Sequence, residues 1–230
     1  VGVPIFVVLT FVLLWRGRGI HLSPEQEHDP RITHEETLPR LITLGIYGLS
    51  NVILFAISGT YHLLDRQSMA RHVLQVLDHA AIFLLIAGTF APAHYILFTG
   101  WKRWGPILFE WTAAILGIIL KSIFFNDLSE FLGLSLYLGL GWVGGISGFF
   151  VWYQYGWKLF QPLVFGAISY TLGAILDYLQ WPVLIPGVLG GHELFHIFVV
   201  IGACWFGYFI YLIAPGHLRR VPRLITEEVQ

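Results

Sequence analysis

The chain has 230 residues, of which 56% are hydrophobic and 12% charged, and a mean hydropathy of +0.71, a balance that soluble globular domains do not have. A formal net charge of -1, with no Lys/Arg cluster interleaved with aromatics, excludes a nucleic-acid-binding protein. The one cysteine, Cys204, lies in the last apolar run, cannot close a disulfide within the chain and is expected to be a small core residue.

In chain order, residues 1–15 are apolar but short of the roughly 20 that cross a bilayer. They lack the positive region and cleavage site of a signal peptide and are expected to be a truncated first span. From Arg16 to Arg40, charges alternate with Pro24, Pro30 and Pro39, which predicts a water-facing connection. The second span is expected over 41–64, apolar until Ser58, Tyr61 and His62 appear just before Asp65 and Arg66. The third, over 73–98, carries its charge, Asp78, near its beginning. Lys102 and Arg103 mark the next turn. The fourth span, 104–125, contains Glu110, and its Lys121 is expected to snorkel toward headgroups. The fifth, 131–153, is rich in glycine, including Gly139, Gly141 and Gly148, which permits close helix contact in lipid. The sixth covers 159–178, and Trp181-Pro182 with Pro186-Gly187 separates it from the seventh, 190–214. A polar tail, 215–230, follows. Trp101, Trp104, Trp152, Trp157 and Trp181 cluster near span ends, as an interfacial belt does. The expected fold is therefore all-α: one polytopic membrane domain, a seven-transmembrane helix bundle over residues 1–230.

Ionisable groups inside such spans are costly and point to function. His192 and His196 stand four residues apart, so on a helix they share one face, a spacing suited to zinc. His62 closes the second span, Asp78 opens the third and the histidine pair opens the seventh, so an up-down bundle turns all four toward one membrane face. Three imidazoles at one depth predict a Zn2+ site, with three protein ligands and an open fourth position as in catalytic centres. Asp78 is expected to contact the metal directly or through water. Ser58, one turn before His62, is suited to orienting a ligand or the carboxylate. His72, His79 and His94 are expected to be hydrogen-bonded structural residues. Asp177 and Glu110 are expected to be interfacial or helix-packing groups.

The segments Ser58-Gly59-Thr60-Tyr61-His62, Leu77-Asp78-His79-Ala80-Ala81-Ile82 with Ile86-Ala87-Gly88-Thr89-Phe90-Ala91-Pro92, and His192-Glu193-Leu194-Phe195-His196 resemble, in order and placement, those of the hemolysin III family. That family is the bacterial branch of the progestin and adipoQ receptors, which include the adiponectin receptors, and is more distantly similar to alkaline ceramidases. The resemblance implies a seven-helix bundle in a bacterial plasma membrane. It also implies an intramembrane zinc held by His62, His192 and His196, with Asp78 on the zinc-bound water. Phe90 and Ala91 depart from the Tyr and Thr common in the third-span motif, and Ile32-Thr33-His34 lies in the first connection rather than ahead of the first span.

Two functions follow as expectations. In one, zinc-activated water attacks a lipid amide or ester with Asp78 as base, a hydrolase of lipid metabolism acting on a membrane lipid. In the other, zinc only staples the helices and the bundle is a sensor or receptor-like regulator of membrane state. His192-Glu193-Leu194-Phe195-His196 also matches H-E-x-x-H, in which the glutamate is the general base of a peptidase. Here the motif lies in the last span, and Glu193 is rotated about 100° from His192. It is expected to face away from the metal or to act as a first-turn helix charge. A pore-forming haemolysin ranks low because no span has a continuous polar stripe. Of the 13 Lys and Arg, only Arg66, Arg71 and Lys121 fall on the side of the histidines. The positive-inside rule then places the tail in the cytoplasm and the histidines outside, opposite to the adiponectin receptors.

Overall fold

The protein was analysed as a computed structural model that describes residues 2–18, 37–65 and 67–216. Most of the connection from Arg16 to Arg40, including Ile32-Thr33-His34, lies outside the described residues, as do Arg66 and residues 217–230 of the tail. Among the described residues the chain is all-helical: α1 (Gly2–Arg18), α2 (Thr37–Leu63), α3 (Met69–Leu97), α4 (Trp101–Ile123), α5 (Glu130–Tyr155), α6 (Trp157–Leu179) and α7 (Gly191–Ile213). The only strand-like feature described is an isolated bridge between Ile185 and Leu189.

Six helices, α2 to α7, are long and apolar enough to cross a membrane. Their boundaries follow local chemistry. Ser68 caps α3, its hydroxyl accepting from the Arg71 amide at 3.2 Å, and Ser129 caps α5 by accepting from the Leu132 amide at 3.2 Å. Gly156, at φ 81°, separates α5 from α6. α2 begins four residues before the apolar run of 41–64 because Arg40 continues the helix and turns its charge onto a carbonyl. Trp101, Trp104, Trp152, Trp157 and Trp181 are all exposed at or near helix ends.

The chain divides into two compact units, Val1–Ile115 with Ile210–Gln230, and Leu116–Phe209. In the first, α2 packs against both α1 and α3, with Phe6, Leu13, Leu44, Tyr47 and Phe83 buried. Arg40 is buried and donates from Nε and Nη2 to the Gly17 carbonyl at 3.1 and 2.8 Å, closing the last turn of α1. Arg16 donates to the Tyr211 hydroxyl at 3.1 Å and lies over its ring. Glu110 is fully buried, which agrees with the helix-packing alternative, and neither carboxylate oxygen meets a donor among the described residues.

In the second unit, α5 packs on α6, and α6 approaches α7 through glycines set against large rings. A Cβ at Gly166 would come within 2.7 Å of Phe206, and one at Gly202 within 2.6 Å of Tyr170. Van der Waals fit of this kind drives helix association where lipid removes the hydrophobic effect between helices. The glycine run of α5 does less of this than expected. Gly139 and Gly141 face open space, because the glycine count matters less than which large side chain stands opposite. Lys121 does not snorkel: its side chain is buried, with the ammonium 4.7 Å from the Phe125 ring centroid. Cys204 is exposed on α7 rather than packed in a core. Val8, Phe11, Leu49, Leu108 and Ile146 are likewise exposed, the outward apolar surface that a membrane-embedded helix presents.

Candidate metal centre

His62 stands in the last turn of α2 and is exposed. That turn is fixed by Arg71, which donates to the Leu64 carbonyl at 2.6 Å and the Tyr61 carbonyl at 3.3 Å while lying over the Tyr61 ring. A cation on the unpaired carbonyls of a helix C-terminus satisfies both their hydrogen bonding and the helix dipole. The turn into α3 is built by Asp65, which accepts from the Gln67 amide at 2.9 Å, and by the Ser68 cap. Ser58, one turn before His62, is buried in α2. Asp78 is half-buried. It lies about two and a half turns inside α3 rather than at its start, because the helix begins at Met69.

α7 starts at a close contact. A Cβ at Gly191 would lie 2.5 Å from the Leu176 carbonyl oxygen, 2.8 Å from the Trp181 nitrogen and 3.0 Å from the Gln180 carbonyl carbon, all backbone atoms. Only glycine lets the first turn of α7 sit this tightly on the end of α6. Glu193 then reaches back, its Oε2 accepting from the Gly190 amide at 2.8 Å. This is the carboxylate half of a capping box, and it uses the glutamate at the helix start.

The next residue after Gly191 is His192. Its Nδ1 is 2.9 Å from Asp177 Oδ1, and its Nε2 is 3.1 Å from the Nε2 of His196. Facing a carboxylate, Nδ1 carries the proton and donates. Two nitrogens held at about 2.05 Å on one tetrahedral zinc stand about 3.3 Å apart, so the spacing of the pair fits shared coordination. His192 and His196, both in the second unit, thus offer two nitrogens suited to one metal ion, while His62 belongs to the first unit. Neutral imidazoles are apt donors for zinc.

Two further histidines are occupied elsewhere. His79 Nδ1 donates to the Gln75 carbonyl at 2.8 Å, the ordinary i to i−4 pairing within a helix. His94 donates to the Lys102 carbonyl at 2.8 Å and lies between the rings of Phe90 and Phe98. Sequence reasoning missed Asp177 as the partner of His192. A signal was present: an acidic side chain in the last turn of a helix opposes the dipole and needs a compensating partner.

The helices and the histidine pair of α7 define a polytopic α-helical membrane protein with a candidate metal centre. Comparison with known proteins gives the family. The sequence model described as Haemolysin-III related matches residues 1–206. The chain is 31% identical to Hemolysin-3 of Bacillus cereus over 167 residues, 73% of each chain. It is 29% identical to the Hemolysin-3 homolog of Bacillus subtilis (strain 168) over 163 residues, 71% of this chain and 73% of that one. No solved structure matches. The chain belongs to the haemolysin-III family and is an integral membrane protein of the bacterial plasma membrane.

Proposed function

We propose that the protein is a seven-span zinc protein that hydrolyses an amide or ester bond of a membrane lipid. The observation that carries this reading is the 3.1 Å spacing of the His192 and His196 Nε2 atoms in α7, which suits two ligands of one zinc. His62 is taken as the third ligand from the resemblance of its segment to the family's. The seventh span is α1, whose 17 residues rise about 25 Å along the helix, close to the roughly 30 Å hydrocarbon thickness.

Bound there, zinc supplies Lewis acidity toward a carbonyl and toward water. The residues do the rest. His62, His192 and His196 would hold the metal through neutral ring nitrogens. Asp78, half-buried in α3, is the carboxylate that would take the proton from the attacking water. Ser58, buried one turn before His62, would be the residue to orient Asp78 or the His62 ring. Glu193 is engaged with the Gly190 amide, which supports a helix-capping role over that of a peptidase base. The substrate is taken to be a lipid because the spans expose apolar side chains along their length.

The test is incubation of purified protein with ceramide-like and phospholipid substrates, comparing wild type with Asp78→Asn. Metal-dependent fatty-acid release that disappears in the variant is the expected result. Zinc-loaded protein that releases no fatty acid from either class would overturn the hydrolase reading in favour of a regulator whose zinc staples the helices.

A further inference from the structure

We propose that Asp177 is a positioning residue of the metal centre: it holds His192 in the one tautomer and ring orientation that aims Nε2 at the ion. This rests on the zinc reading above.

A ligating imidazole needs an acceptor for its other N–H, which fixes the tautomer and makes the ligand more basic. Within a helix the usual acceptor is the carbonyl four residues earlier, and His79 uses Gln75 in this way. His192 cannot. It is the second residue of α7, so the residue four before it, Val188, lies outside the helix and no preceding helical turn offers a carbonyl. The acceptor comes instead from α6, where Asp177 Oδ1 stands 2.9 Å from His192 Nδ1. The opposite ring atom, Nε2, then faces His196 Nε2 at 3.1 Å.

Asp177 is itself held. Gln180, in a left-handed conformation at φ 48° where α6 ends, donates its amide to the Asp177 carbonyl at 2.5 Å and approaches Oδ1 at 3.4 Å. Gly191 permits the close seating of α7 on this same turn. The Asp177 and His192 side chains are 35% and 39% exposed, so their pairing adds little to folding stability. A carboxylate in the last turn of α6 is unfavourable to that helix. Neither effect explains an acid at this position, whereas orienting His192 does.

The experiment measures zinc affinity by chelator competition in purified protein for wild type, Asp177→Asn and Asp177→Ala. It adds the visible absorption of the cobalt-loaded forms and the thermal unfolding of the metal-free forms. Loss of an outer-shell partner typically costs about 10- to 100-fold in metal affinity. A loss in that range is expected for Asp177→Ala, a smaller one for Asp177→Asn, whose amide oxygen can still accept from Nδ1, and an altered cobalt spectrum in Asp177→Ala. Metal-free unfolding is expected to be unchanged or slightly raised. Equal zinc affinity in all three proteins would overturn the positioning role while leaving the metal centre intact. A lower affinity that tracks lower stability of the metal-free variants would overturn it in favour of a folding role. Wild-type protein that binds no zinc would defeat the underlying zinc reading as well.

Discussion

Gly191→Ala tests how α7 is seated. The added methyl would lie 2.5 Å from the Leu176 carbonyl oxygen and 2.8 Å from the Trp181 nitrogen, against roughly 3.4 Å for an ordinary contact. The atoms in the way are backbone, so no side chain can swing aside, and the start of α7 must retreat from α6 by most of an ångström. Overpacking of this kind costs about 1 to 3 kcal/mol. The retreat also stretches the 2.9 Å Asp177 to His192 hydrogen bond past useful length, and zinc affinity is expected to fall by about tenfold or more. Gly139→Ala is the control, because that position faces open space. There the higher helix propensity of alanine is expected to leave stability unchanged or raise it by up to about 1 kcal/mol. The assay is thermal unfolding in detergent together with chelator competition, run on both variants. Gly191→Ala that unfolds and binds zinc like wild type would refute the close approach of α6 and α7.

Three further outcomes are expected. Arg40→Ala removes the two donors that reach the buried Gly17 carbonyl, and the unmet group should lower stability by about 1 to 3 kcal/mol; an unchanged unfolding temperature would contradict that capping role. Asp78→Asn is expected to retain most of the bound zinc while losing lipid hydrolysis, seen by elemental analysis and fatty-acid release on the same preparation. Because imidazole binds metal only when neutral, zinc content after dialysis at about pH 5 should fall well below that at about pH 7.5.

The helices were legible because apolar runs bounded by charge and proline must form continuous hydrogen-bonded segments in lipid. Boundaries moved where a charged residue had a local use: Arg40 caps α1, so α2 starts before its apolar run. The histidine pair was legible from a spacing of four residues, which helix geometry turns directly into adjacency. Asp177 was not, because its meeting with His192 depends on how the chain re-enters after residues 180–190, and no periodicity encodes that path. Lys121 and Cys204 misled for a related reason. Residue type suggests a preferred setting, but helix rotation decides whether a side chain is covered, and a covered lysine found the Phe125 ring while the cysteine was left outside.

Elemental analysis of the purified protein tests the central claim most directly. Wild type is expected to carry about one zinc per chain, with that metal lost in the His192→Ala/His196→Ala double variant and depleted in His62→Ala. Zinc absent from wild type, or present at the same content in the double variant, would contradict the metal centre.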